Sequence, residues 1–176
     1  VELGAVFTPA HTWDVDRTLE LTGVAGRQSS RYTLELPAEW GAGAAVRVAS
    51  RWRVGCDGEW RPLSQLKGRT DWEPDMADEW SLALGCERHG AGRRRGGLDN
   101  LPLRFGVLLR RWGYRVGGAE IDEARVSLGT GFPLRGGAGR LDCAVGYGWV
   151  GDQAENGYRD RVLRLSVSVV GLEKWW

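Results

Sequence analysis

The stretch Leu141-Asp142-Cys143-Ala144-Val145-Gly146-Tyr147-Gly148-Trp149 decides the fold. Its odd positions are apolar, most of them bulky, and its even positions are charged or tiny. A β-strand turns successive side chains to opposite faces, so this period of two makes a two-faced strand and fits no helical spacing. The same alternation runs outward in both directions. In Trp80–Glu87 the even positions are the bulky ones. Leu103, Phe105, Val107 and Leu109 interleave with Arg104, Gly106, Leu108 and Arg110. Ala124, Val126, Leu128, Thr130 and Phe132 interleave with Glu123, Arg125, Ser127, Gly129 and Gly131. Leu163, Leu165, Val167 and Val169 alternate with Arg164, Ser166 and Ser168. Weaker windows at Val1–Thr8, Arg17–Gly23, Arg31–Leu36, Trp40–Ser50 and Trp52–Arg61 bring the series to about ten strands. The joints at Ser50-Arg51-Trp52 and Pro133–Gly139 are short, whereas Pro62–Asp78 and Gly151–Tyr158 are longer and polar. Arg88–Asn100, with its Arg93-Arg94-Arg95 run, departs from that alternation of short and long.

Composition narrows the function classes. A chain of 176 residues suits one domain, at roughly 150 residues per domain. Lys and Arg number 24 against 23 Asp and Glu, so no basic surplus exists to neutralise phosphates, which argues against nucleic acid. With 27% charged and 42% hydrophobic residues the chain is neither a disordered tail nor a helical membrane protein. The 27 glycines are about twice the usual share, and ten tryptophans are also unusual. Lys67 and Lys174 are the only lysines and Ile121 the only isoleucine, a scarcity that reads as codon bias in a GC-rich genome. Val1 is not an initiator and no signal peptide precedes it, so a fragment of a longer product is expected.

No motif for chemistry emerges. Cys56, Cys86 and Cys143 form no C-x-x-C pair, and an odd number cannot complete a disulfide framework, so they read as small apolar residues. His11 and His89 stand in polar stretches without a nucleophile at triad spacing. Gly41-Ala42-Gly43 and Gly136-Gly137-Ala138-Gly139 precede no Gly-Lys-Ser/Thr and no helix, so they are not phosphate loops. Neither an enzymatic role nor a metal or cofactor is expected.

Alternation alone suits a water-soluble sandwich as well as a barrel in lipid. Four features favour the barrel. The windows run to about 9–11 residues, the length a tilted membrane-crossing strand needs, where soluble strands average about 5–6. The non-apolar face is crowded with Gly and Ala, which gain nothing on a solvated face but leave room for neighbouring Arg and Glu. Trp40, Trp52, Trp60, Trp80, Trp112 and Trp149 sit at or near strand ends, as aromatic girdles at the lipid headgroups do, and Trp176 ends the chain. All three cysteines share the parity of the apolar face. The lumen-lining candidates are then Arg47, Arg53, Arg61, Arg104, Arg110, Arg125, Arg140 and Arg164 against Asp57, Glu59, Glu79, Glu87, Glu123 and Asp142. Cross-strand salt bridges among them would stiffen the wall, and an Arg could instead meet an anionic head group.

Several short motifs resemble the FadL/OmpP1/TodX outer-membrane transport proteins. Leu36-Pro37-x-x-Trp40, the turn at Arg51-Trp52 and the return to Trp60 and Ser64 look like a hairpin of that family. Val1–Pro9, Asp78–Cys86, Ser127-Leu128-Gly129-x-Gly131-Phe132-Pro133 and Glu155-Asn156-Gly157-Tyr158 are similar to other pieces of it. The resemblance implies an all-β, antiparallel up-and-down transmembrane β-barrel of fourteen strands with an N-terminal hatch. Residues 1–176 would then be a single barrel portion with about ten of those strands, lacking the hatch. It further implies a Gram-negative outer membrane, lipid and the barrel-assembly machinery as partners, and passive uptake of hydrophobic molecules such as long-chain fatty acids or aromatic hydrocarbons. The alternatives are an outer-membrane barrel with a structural, adhesion or assembly role, and a soluble antiparallel β binding module.

Overall fold

The computed structural model describes residues 1–20, 27–68, 75–91, 98–134 and 139–171. Within them lie eleven strands: β1 (Glu2–Thr8), β2 (His11–Glu20), β3 (Arg27–Leu36), β4 (Glu39–Ala49), β5 (Trp52–Arg61), β6 (Lys67–Gly68), β7 (Glu79–Arg88), β8 (Leu103–Val116), β9 (Ala119–Pro133), β10 (Gly139–Val150) and β11 (Asp160–Gly171). Eight of them form one antiparallel sheet in the order β1-β4-β5-β7-β8-β9-β10-β11, and β2-β3-β6 form a second. The period-two windows thus become strands, most of them ten to fifteen residues long. One expectation needs correcting. Arg17–Gly23 was expected as a strand, but β2 starts six residues earlier, at His11, and residues 21–26 lie outside the described set. Apolar residues are sparse there, so the period was weak, and pairing with β3 decides the outcome.

The expected all-β antiparallel architecture is present, with nearest strands joined in meander fashion. The sheet is open: β1 and β11 are its two edges and do not pair with each other. Among the described residues no second sheet of comparable size covers it, unlike a sandwich. Among the described residues only Ala77 and Ile121 are buried apolar side chains. Their small cluster lies where β8 and β9 run past the rest of the sheet to a turn at Gly117 and Gly118, with φ of 62° and 82°. Two successive positive φ values suit the right-handed twist of a tight hairpin and exclude most other residues. There Ala77 N–H donates to the Gly113 carbonyl at 3.2 Å, and Arg115 N–H to the Asp75 carbonyl at 3.0 Å.

Prolines divide the two sheets. The pairs from Glu2↔Ala45 to Thr8↔Glu39 and from His11↔Leu36 to Glu20↔Arg27 keep one register. β1-β2 and β3-β4 are therefore the two legs of one long hairpin, interrupted at Pro9-Ala10 and Pro37-Ala38. Proline carries no N–H to give to a ladder. Pro62 does the same between β5 and β6, whose Lys67 and Gly68 pair with Glu35 and Leu34.

Candidate functional site

Register fixes which side chains share a face. One row crosses all eight strands: Leu3, Ala44, Cys56, Leu84, Val107, Val126, Tyr147 and Leu163. The next row holds Val46, Val54, Cys86, Phe105, Leu128, Val145 and Leu165. The large apolar side chains of these rows are exposed, from 38% for Val54 and Val145 to 80% for Leu3, and Ala44 and Cys86 are half-buried. Charged groups appear on this face only toward strand ends, at Arg88, Arg111, Arg115, Glu120, Asp122 and Arg161.

An aromatic row borders the apolar one. Phe7 stands opposite Trp40, Trp40 opposite Trp60, and Trp60 opposite Trp80. The Phe7 and Trp40 rings are 4.3 Å apart between centroids, and the Arg111 guanidinium lies 5.9 Å from the Trp80 ring. Trp149 is at the same end, with the Arg159 guanidinium 5.2 Å from its ring. Trp52 marks the opposite end. The eight steps from Trp52 to Trp60 span about 27 Å along β5, or about 20 Å in height at a barrel-like tilt near 40°. Trp112 corrects the expected girdle: it alternates onto the polar face, where the Arg110 guanidinium covers its ring at 5.1 Å. The period-two parity that carries Arg110 to that face carries Trp112 there too. Trp176 lies outside the described residues.

The fourteen charged positions expected to line a lumen fall on the opposite face. Glu87, Arg104, Asp142 and Arg140 form a chain of ion pairs at 3.3, 2.8 and 2.9 Å. It spans β7, β8 and β10 by passing over β9, where Gly129 is the ladder partner of Arg104 and Gly131 that of Asp142. Arg53 pairs with Glu2 on β1, reaching past β4. Arg61 bonds Glu39 at 3.3 Å and lies 3.8 Å from Glu59 and 3.9 Å from Glu79. Arg110 is 4.0 Å from Glu79, and Arg125 is 3.4 Å from Glu123. Asp57 lies over Gly43, Arg47 stands opposite Arg53, and Arg164 opposite Gly146.

The glycines explain how so many long side chains fit. A Cβ at Gly131 would stand 2.5 Å from Asp142 Oδ1 and 3.0 Å from Arg140 Cδ. Gly131→Ala should therefore push the carboxylate off Arg104 and cost about 1–3 kcal/mol. In an Asp142→Ala background the same change should cost far less. A double-mutant cycle by chemical unfolding measures the difference, and equal costs would refute the steric account.

Beyond the aromatic row lies a cluster that sequence reasoning missed. Arg111 contacts Asp122 at 2.9 Å and Glu120 at 2.5 Å, and Arg115 contacts Asp75 at 3.0 Å and Glu120 at 3.5 Å. The hydrogen bond to Asp75 raises the pKa of Arg115 above its ordinary value. Only the bulge between Arg111 and Arg115 brings these groups together, and no local pattern signals it. Among the described residues no group of His, Cys, Asp and Glu could hold a metal ion.

Comparison with known families supplies the last observation. The BamG family model matches residues 10–176. The resemblance to FadL/OmpP1/TodX is overturned by this match to a different family: the motifs behind it are short strand and turn patterns that any long antiparallel sheet can share. No curated protein matches the chain.

Proposed function

The chain belongs to the BamG family, and from that premise we propose that it forms a lipid-embedded wall of the outer-membrane machinery that assembles β-barrels. Its role in this reading is structural, not catalytic. The family name ties it to barrel assembly in a Gram-negative outer membrane. One physical observation carries the membrane part: a continuous apolar face crosses eight strands while, among the described residues, almost no apolar side chain is buried. Exposed patches on soluble monomers rarely exceed a few hundred Å². In lipid the same face is matched to its solvent, and aromatic rings and charges at its borders belong at headgroup level.

Closure into a barrel completes the proposal, since an open strand edge in hydrocarbon leaves backbone groups unsatisfied at several kcal/mol each. The ion-paired polar face would then line the interior. Most of the long excursions leave the sheet at the Trp40–Trp60–Trp80 end, while the β7–β8 connection leaves at the other, where Val1 and Gly171 also lie. Transmembrane barrels keep longer loops outside the cell, which puts the tryptophan row at the outer surface. Uptake of hydrophobic molecules loses the resemblance that suggested it, and an ion-paired interior lends it no other support.

Two measurements test the proposal together. The protein should resist carbonate extraction, need detergent to dissolve and migrate differently on a gel before and after boiling. Its depletion should lower the folded fraction of other outer-membrane barrels several-fold. Extraction without detergent defeats the wall, and unchanged levels of folded barrels defeat the assembly role.

A further inference from the structure

The β2-β3 hairpin carries the next inference. Its side chains are sorted sharply by charge. Asp14, Asp16 and Glu35 lie on one face, where Thr33 donates to Asp14 at 3.1 Å and Arg31 meets Asp16 at 3.2 Å. The other face carries His11, Trp13, Val15, Tyr32, Leu34 and Leu36, with the His11 and Trp13 rings 5.8 Å apart. The only charged side chain described on that apolar face is Arg17, and it bears no carboxylate. Trp13 is 56% exposed.

Position matters as much as chemistry. The register is unbroken across Pro9 and Pro37, so the apolar face of the arm continues the parity of the apolar face of the main sheet. The arm also begins immediately past the Phe7–Trp40–Trp60 row. A bend toward the apolar side at the proline breaks would turn that face onto whatever surrounds the wall at the height of its aromatic border. We infer that the β2-β3 arm lies on the membrane surface, with Trp13, Val15, Tyr32 and Leu34 in the headgroup boundary and Arg17 toward anionic headgroups. Three observations select this occupant: the shared parity, a face free of carboxylates opposite one rich in them, and Trp and Tyr, which favour such boundaries. The three prolines, which keep the arm from fusing with the main sheet, supply the joint.

This inference rests on the proposal that the wall faces lipid, and the experiment separates the two. The full chain, with Cys56, Cys86 and Cys143 changed to Ala, is reconstituted into phosphatidylcholine vesicles containing phosphatidylglycerol. Single spin labels are placed by Val15→Cys, Tyr32→Cys, Thr18→Cys and Leu165→Cys, and heat-modifiable migration checks that each variant is folded. Accessibility to oxygen, which concentrates in lipid, is compared with accessibility to a water-soluble nickel complex. Labels at 15, 32 and 165 should favour oxygen, and the label at 18 should favour nickel, a reversal of sign within three residues. Nickel preference at 15 and 32 with oxygen preference at 165 overturns the arm and leaves the wall standing. Shielding from both reagents at 15 and 32 overturns it also, since protein would then cover that face. Nickel preference at 165 overturns wall and arm together.

Discussion

Val107→Arg should destabilise the reconstituted protein by about 2–4 kcal/mol, the cost of a cation near the midplane of a barrel's lipid face. Val107 lies between Leu84 and Val126 in the ladder and between Phe105 and Leu109 along its own strand face, so an Arg there has no charged ladder partner and, in the proposed wall, would stand far from either bilayer surface. Leu108→Gln, one residue away on the polar face beside Ala83 and Arg125, should change stability by about 0.5 kcal/mol or less. Urea unfolding in vesicles measures both. The contrast is diagnostic because Val107 is 43% exposed. If that exposure were to water, the arginine would be the harmless change. Equal effects would defeat the lipid-facing wall.

Gly148→Val should be strongly damaging. A Cβ at that position would collide with the Ala124 carbonyl oxygen and stand 2.8 Å from Arg125 Cα and 2.9 Å from Arg125 Cβ. These are backbone and near-backbone atoms of the paired strand β9, not the tips of movable side chains. Relief requires opening the β9-β10 ladder, so the loss should reach or exceed the about 1–3 kcal/mol typical of overpacking. Gly4→Ala is the control: nothing lies within 4 Å of a Cβ there, and the smaller entropy of the unfolded chain should leave stability unchanged or raised by about 0.4–1 kcal/mol. Chemical unfolding of the two variants beside the parent measures this. A loss at Gly4 as large as that at Gly148 would show that the strand resists any side chain.

Much of the sheet is written locally. Cys143, Val145 and Tyr147 against Asp142, Ala144 and Gly146 settle both the strand and its faces, because a period of two is a property of neighbours in sequence. The role of the small residues was legible for the same reason: Gly129 and Gly131 share parity with Arg125 and must make room for something. What they make room for was not legible. Arg104 meets Asp142 across an intervening strand, a contact set by two registers at once. Trp112 shows the opposite failure, in which position near a strand end was taken for membership of a girdle although its parity matches Arg110. The arm was half-seen. Its β3 leg announces itself through Tyr32, Leu34 and Leu36, whereas β2 carries only Trp13 and Val15 before Arg17 dilutes the pattern. The match to residues 10–176 corrects the family, and no amount of periodicity could have done so, because every long two-faced sheet shares it.

The three thiols illustrate what a sorted sheet does for reactivity. Cys56 stands between Ala44 and Leu84, Cys86 between Val54 and Phe105, and Cys143 between Thr130 and Val167. Disulfide exchange and alkylation run through the thiolate, an anion that hydrocarbon refuses. Register keeps all three sulfurs on one face, away from the ion pairs of the other. In the wall proposed above that face would stand in lipid, where water-borne oxidants do not reach, and the bilayer itself would act as the protecting group of the thiols.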